Sequence, residues 1–211
     1  MDIKGVIFDL DGVICFTDKY HYMAWKEMAD AEGIYFDETI NERLRGVSRA
    51  ASLEIILERA EKPYTDEQKL EMMEWKNNRY RELLKNMSPA DLSDEVRDTL
   101  NALRAKGLKL AIGSSSKNTR FILGQIGLGD FFDEISDGTN IQRSKPDPQV
   151  FLMAADMIGE APSDCLVIED AEAGIDAAVA GGFHNAGIGS ASKYAKTENP
   201  IETFSDILKL V

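Results

Sequence analysis

The run Asp9-Leu10-Asp11-Gly12-Val13 follows directly on the apolar stretch Val6-Ile7-Phe8. Charge at the end of an apolar stretch costs desolvation energy unless a cation or hydrogen bonds compensate it. If the stretch is a strand, side chains at i and i+2 share a side, and Asp9 and Asp11 meet at its carboxyl end. Two carboxylates in one place point to a divalent metal, an acid/base pair, or both. Three further groups could join them: Gly113-Ser114-Ser115-Ser116-Lys117-Asn118, running into a helical stretch; the loop Ser144-Lys145-Pro146-Asp147-Pro148; and Glu169-Asp170.

Each of these three has an ordinary reading. The serines suit a capped strand-to-helix turn, Lys145 a solvated loop lysine between turn prolines, and Glu169-Asp170 an acidic pair at a helix start. As a set they make coherent chemistry. Asp9, Asp170 and a backbone carbonyl, completed by phosphate and water, suit Mg²⁺. Ser114 and the amides of a helix start suit a phosphoryl group. Lys145 adds a compact positive charge. Those are the parts of phosphoryl transfer, in which positioning and charge stabilisation do most of the catalysis.

Strand candidates that could carry these groups are Val6–Asp9, Leu108–Ser114, Phe132–Ser136, Leu166–Asp170 and Ala186–Gly189. From about Ser88 onward they alternate with helical patterns, which predicts a parallel sheet covered by helices. Gly33, Gly107, Gly127 and Gly159 each follow a helical stretch, as left-handed caps do. The stretch from about Phe16 to Met87 has no convincing strand, and Thr65 with Gln68 reads as a capping box opening its last long helix. An all-helical block inserted after the first strand would lie over the carboxyl ends of the strands, where open parallel sheets bind ligands, and could act as a lid.

The chain has 211 residues, a net charge of −13 and 44% hydrophobic residues. That length suits one domain with an insertion or two small domains. The charge argues against nucleic-acid binding, and any phosphate site must be a local cluster of cations and amides. No apolar stretch approaches a membrane span, and Asp2 so close to the first strand leaves no room for a signal peptide. Cys15 and Cys165 fall at opposite ends of neighbouring strands if those are parallel, too far apart to bond. Both read as reduced thiols, and the compartment as cytoplasmic.

On Asp9-Leu10-Asp11-Gly12-Val13, Ser114, Lys145 with Pro146-Asp147-Pro148, and Glu169-Asp170, in that order, the chain resembles the haloacid dehalogenase superfamily of phosphotransferases. Tyr20-His21, Ala24-Trp25-Lys26, Arg45-Gly46-Val47-Ser48-Arg49, Ser52-Leu53, Lys76-Asn77 and Ser88-Pro89-Ala90-Asp91 extend the resemblance to its β-phosphoglucomutase family. The resemblance implies an α/β protein with a Rossmann-like parallel-sheet core over residues 1–15 and 89–211 and an inserted α-helical cap over 16–88. It implies Asp9 as a nucleophile that becomes an aspartyl phosphate, Asp11 as general acid/base, and Thr17 and His21 beside them, His21 coupling cap closure to the acid/base. Mg²⁺ would be held by Asp9, the Asp11 carbonyl and Asp170, with Glu169 nearby. Substrate contacts would come from Trp25, Arg45, Gly46, Val47, Ser48, Arg49, Ser52 and Lys76 in the cap, and from Ser114, Ser115, Ser116, Lys117, Asn118 and Lys145 in the core.

The implied reaction converts β-D-glucose 1-phosphate to glucose 6-phosphate through a hexose 1,6-bisphosphate, with small sugar phosphates as the only partners and a monomer as the working unit. A sugar-phosphate phosphatase on the same core is the alternative, and a non-enzymatic sugar-phosphate-binding protein a third reading. Trp25, four residues after His21, also reads as helix packing. Phe16 stands where many members carry aspartate, and Arg45 where lysine also occurs; a guanidinium fork is not equivalent to an ammonium.

Overall fold

The structure is a computed structural model, and it describes residues 2–44 and 48–211. Among these residues six strands form one sheet: β1 (Gly5–Phe8), β2 (Lys109–Gly113), β3 (Glu134–Ser136), β4 (Cys165–Glu169), β5 (His184–Gly187) and β6 (Asn199–Pro200). All neighbours pair in parallel, in the order β3-β2-β1-β4-β5-β6. Every residue of β1 and of β4 is buried, as expected of parallel strands covered on both faces. The chain steps outward from β1 through β2 and β3 on one side, then returns to β4 on the other. Where strand order reverses in this way, a crevice opens at the carboxyl ends of the two strands that flank the switch. Here those strands are β1 and β4.

The chain divides into two compact units. The sheet unit comprises the residues up to Phe16 together with Met87–Val211. Its helices are α5 (Asp94–Ala105), α6 (Thr119–Gln125), α7 (Gln149–Ile158) and α8 (Glu172–Gly181), and α7 and α8 pack over the central strands. Ile7, Ala111, Val150, Phe151, Ala154, Val167, Ala178 and Phe183 share one core there. The helical unit, Thr17–Asn86, holds α1 (Asp18–Ala31), α2 (Glu38–Glu42), α3 (Arg49–Leu57) and α4 (Asp66–Leu84). Trp25, Met28, Phe36, Leu53, Ile56 and Met72 form its core, with α1 lying along α4.

Local signals read from the sequence recur in the structure. Gly33, Gly107, Gly127 and Gly159 all have positive φ, and Gly159 caps α7 at φ 75°. The Thr65 hydroxyl accepts from Gln68 N at 3.3 Å, and Gln68 Oε1 accepts from Thr65 N at 2.9 Å. Both cysteines are free and buried, and Cys165 pairs with Gly5 at the amino end of the sheet. No helix among the described residues is long and apolar enough to cross a membrane.

Three expectations need correction. The strands end one residue earlier than expected, β1 at Phe8 and β2 at Gly113, although Asp9 N still donates to Ile168 O at 3.0 Å and Ser114 N to Ser136 O at 3.1 Å. Asp11 therefore stands in a turn after β1 and not on the strand itself. Leu10 O accepts from Ile14 N at 2.9 Å and from Cys15 N at 3.2 Å, and Gly12 N donates to Cys15 O at 2.8 Å. The last strand candidate begins earlier, at His184. A sixth strand, β6, is two residues long and contains a proline; such a segment has no β-rich signature and is tolerated at a sheet edge.

Candidate active site

The sheet unit gathers its acidic residues at the carboxyl ends of β1 and β4. Ligand oxygens of Asp9, Glu169 and Asp170 lie within 4.8 Å of one another. Lys145 reaches in from its loop: its Nζ donates to Asp9 Oδ1 at 2.5 Å and is 3.5 Å from Glu169 Oε1. Burial works against the lysine's charge, but Asp9, Glu169 and Asp170 outweigh it and the Lys145 pKa is raised. Burial, then the charges of Asp9 and Asp11, push Asp170 up to about 7. Burial also drives Glu169 well above the usual carboxylate range. Crowded carboxylates facing one ammonium need more positive charge than Lys145 alone supplies.

The backbone is shaped for this crowding. Gly12 has φ +86°, and a Cβ there would sit 2.1 Å from Asp170 Oδ2. The turn after β1 therefore approaches Asp170 as only glycine permits. The Asp170 carbonyl is pinned by Ser190 Oγ at 2.8 Å and Ala191 N at 3.1 Å. Glu169 packs under α8, where a Cβ on Gly174 would meet its carboxylate at 2.0 Å. Its Oε2 is buried and has no hydrogen-bond partner. An orphaned, buried carboxylate oxygen beside two more carboxylates fits a hard divalent cation with oxygen ligands. The Asp11 carboxylate does not belong to the three-residue cluster.

Ser114 is buried at the end of β2, and its N–H donates to Ser136 O at 3.1 Å. The serine loop is self-bonded: Ser114 Oγ accepts from Ser116 N at 3.3 Å, and Ser116 Oγ from Asn118 N at 3.1 Å. These hydroxyls thus already engage two of the amides expected to cradle a phosphoryl group. Gly138 backs the loop, with its N–H donating to Ser116 O at 3.0 Å and no room for a Cβ, which would fall 2.4 Å from Ser115 O. Lys117 is exposed, and Asn118 caps α6 without a side-chain bond.

The helical unit carries its own polar cluster. Lys76 is only 3% exposed, and its Nζ is 2.8 Å from His21 Nδ1. A protonated Lys76 can only donate, so Nδ1 accepts and the imidazole proton sits on Nε2. Nζ also lies 4.8 Å from the ring centres of both Trp25 and Tyr80. Tyr80 stacks on His21 at 4.0 Å and donates its hydroxyl to Thr17 Oγ1 at 3.2 Å. Burial, with Arg49 nearby, lowers Lys76 to about 7. Burial, then Lys76 and Arg49, hold His21 well below its usual range. Arg49 donates to Asn77 Oδ1 at 2.7 Å.

Asp9, Glu169, Asp170 and Lys145 thus meet in the sheet unit, and Thr17, His21, Trp25, Arg49 and Lys76 in the helical unit. Ser52 is buried, and the Ser48 hydroxyl accepts from Ala51 N at 3.2 Å as the cap of α3. Arg45, Gly46 and Val47 lie outside the described residues. Two contributors escaped sequence reasoning. Tyr80 sits one helical turn after Lys76, a spacing that could have flagged it. Phe151, whose ring lies under Lys145 Nζ, carries no signal in the sequence that ties it to the site.

A family model for haloacid dehalogenase-like hydrolases matches residues 3–182. The β-phosphoglucomutase of Bacillus subtilis (strain 168) is 42% identical over 97% of this chain and 92% of that protein. A phosphorylated carbohydrates phosphatase of Thermotoga maritima is 29% identical over 86% of this chain and 82% of its own length. Among solved structures, β-phosphoglucomutase from Clostridium difficile superposes with a TM-score of 0.85 at 37% identity, covering 97% of this chain and 93% of that one. With a six-stranded parallel sheet, its acidic switch point and these relatives, the chain belongs to the haloacid dehalogenase-like hydrolase family.

Proposed function

We propose that this protein is a β-phosphoglucomutase, converting β-D-glucose 1-phosphate to glucose 6-phosphate through a hexose 1,6-bisphosphate. The reading rests on the 42% identity to the Bacillus subtilis β-phosphoglucomutase; the phosphoryl-transfer chemistry it needs is supported by Asp9, bonded at 2.5 Å by a lysine whose side chain is 11% exposed, within one cluster with Glu169 and Asp170. Asp9 Oδ attacks the phosphorus of the bound bisphosphate in line. The new bond to phosphorus forms as the bond to the sugar oxygen breaks, and Asp11 gives that oxygen its proton. In the return step Asp11 takes the proton from a sugar hydroxyl, whose oxygen attacks the aspartyl phosphate and frees Asp9.

Asp9, Asp170 and the Asp11 carbonyl, with Glu169 behind them, would hold Mg²⁺, which when bound supplies charge neutralisation for the phosphoryl oxygens. Lys145 positions Asp9 and meets the same oxygens with positive charge. Ser114 is the neighbouring hydroxyl donor. In the helical unit Arg49 takes the phosphate that is not being transferred, and Lys76 and His21 orient the sugar. Binding that remote phosphate supplies the energy that favours sugar over water as the acceptor.

The phosphatase reading draws on the Thermotoga maritima relative. One assay separates the two. With β-glucose 1-phosphate, Mg²⁺ and a trace of bisphosphate, glucose 6-phosphate accumulates with little free phosphate. Free phosphate as the main product would make the protein a phosphatase.

A further inference from the structure

Phe151 occupies the first turn of α7, six residues after Lys145, and is fully buried. Lys145 Nζ lies 4.6 Å from the centre of its ring. The same Nζ donates to Asp9 Oδ1 at 2.5 Å. An ammonium has three donors and no acceptor, and one that is almost dry needs a favourable partner in each direction. The negative face of an aromatic ring is such a partner, and it is strongest where water is excluded.

The ring is placed by omissions elsewhere in the chain. A Cβ on Gly113, the last residue of β2, would fall 2.6 Å from Phe151 Cδ1. Phe183 meets Phe151 edge-on, with centroids 6.2 Å apart and planes at 69°. Room for Phe183 comes in turn from Gly181, where a Cβ would lie 2.6 Å from that ring. Two glycines and two rings therefore set the floor under one lysine.

We infer that Phe151 is a positioning residue for the phosphoryl-transfer site, its ring face fixing the Lys145 ammonium against Asp9. The inference rests on the roles proposed above for Asp9 and Lys145. Ring electronics separate it from simple packing. In the full-length protein, residue 151 is replaced by phenylalanine bearing one, two and three ring fluorines, which drain the negative face while nearly keeping the shape; Phe151→Leu removes the ring. Two readouts are followed. With ¹³C-labelled lysine and no substrate, the Lys145 ε-methylene protons resonate upfield from the ring current, and Phe151→Leu abolishes that shift. In the assay above, kcat/KM falls with each added fluorine, by roughly two- to thirtyfold across the series, the span of a desolvated cation–π contact, while the melting temperature stays level. A flat kcat/KM series, or no upfield shift in the parent protein, overturns the inference. If the parent protein turns over no sugar phosphate, the mutase reading fails while the ring-current shift still decides whether the contact exists.

Discussion

Asp9 is a buried carboxylate with a lysine on one oxygen and two more carboxylates close by. Its proposed task requires that oxygen and no substitute. Asp9→Asn should drop turnover to background and leave no phosphate on the protein, read by intact mass after incubation with the bisphosphate; normal turnover would rule out the nucleophile. Lys76 makes a different prediction. Its folded pKa of about 7 lies below the ordinary lysine value of 10.5. Between those values the unfolded chain binds a proton that the folded chain does not, so stability rises with pH across that window and levels off below it. The groups facing Lys76 are Arg49, His21, Trp25 and Tyr80. His21, held well below the ordinary histidine value of 6.5, acts in the same direction at lower pH. Relative to Lys76→Met, the wild-type melting temperature should gain a few degrees between about pH 7 and 9. A constant difference across that range would contradict it.

At the scale of elements, the turn after β1 does what the strand cannot. It lets Gly12 lie against Asp170. Gly12→Ala introduces both a strained positive φ and a contact of 2.1 Å with Asp170 Oδ2. Stability should fall by about 1–2 kcal/mol, and Mg²⁺ affinity should weaken with it as Asp170 is displaced. Calorimetric titration of the metal and a denaturant melt check the two together. Parent-like affinity in the alanine variant would mean the turn has no part in holding the cluster.

At the scale of the whole molecule, an acidic chain of net charge −13 repels phosphate at long range. Among the described residues, the cations that would receive it include Lys145 on one compact unit and Arg49 with Lys76 on the other. That division of labour is testable. Arg49→Ala should reduce the sugar-dependent reaction by tenfold or more, on the order of one lost charge-assisted phosphate contact, while slow loss of phosphate from phosphorylated Asp9 to water changes little. Equal losses in both rates would show that Arg49 does not select the acceptor.

The sequence by itself determined the acidic switch point and the plan of the chain. Carboxylates after an apolar run are costly enough that their purpose shows in one dimension, and helix caps such as Thr65 with Gln68 are local by nature. The helical insertion was legible for the same reason, as a long stretch of one periodicity between two of another. Only the tertiary structure decided what depends on distant partners. Asp9 meets Lys145 across 136 positions of chain, and no spacing rule encodes that pairing. Phe151 meets Lys145 only in the fold, and β6 exists only because β5 offers an open edge. Where β1 and β2 stop is also tertiary: hydrogen-bonded neighbours, not a residue's own propensity, decide where a strand ends.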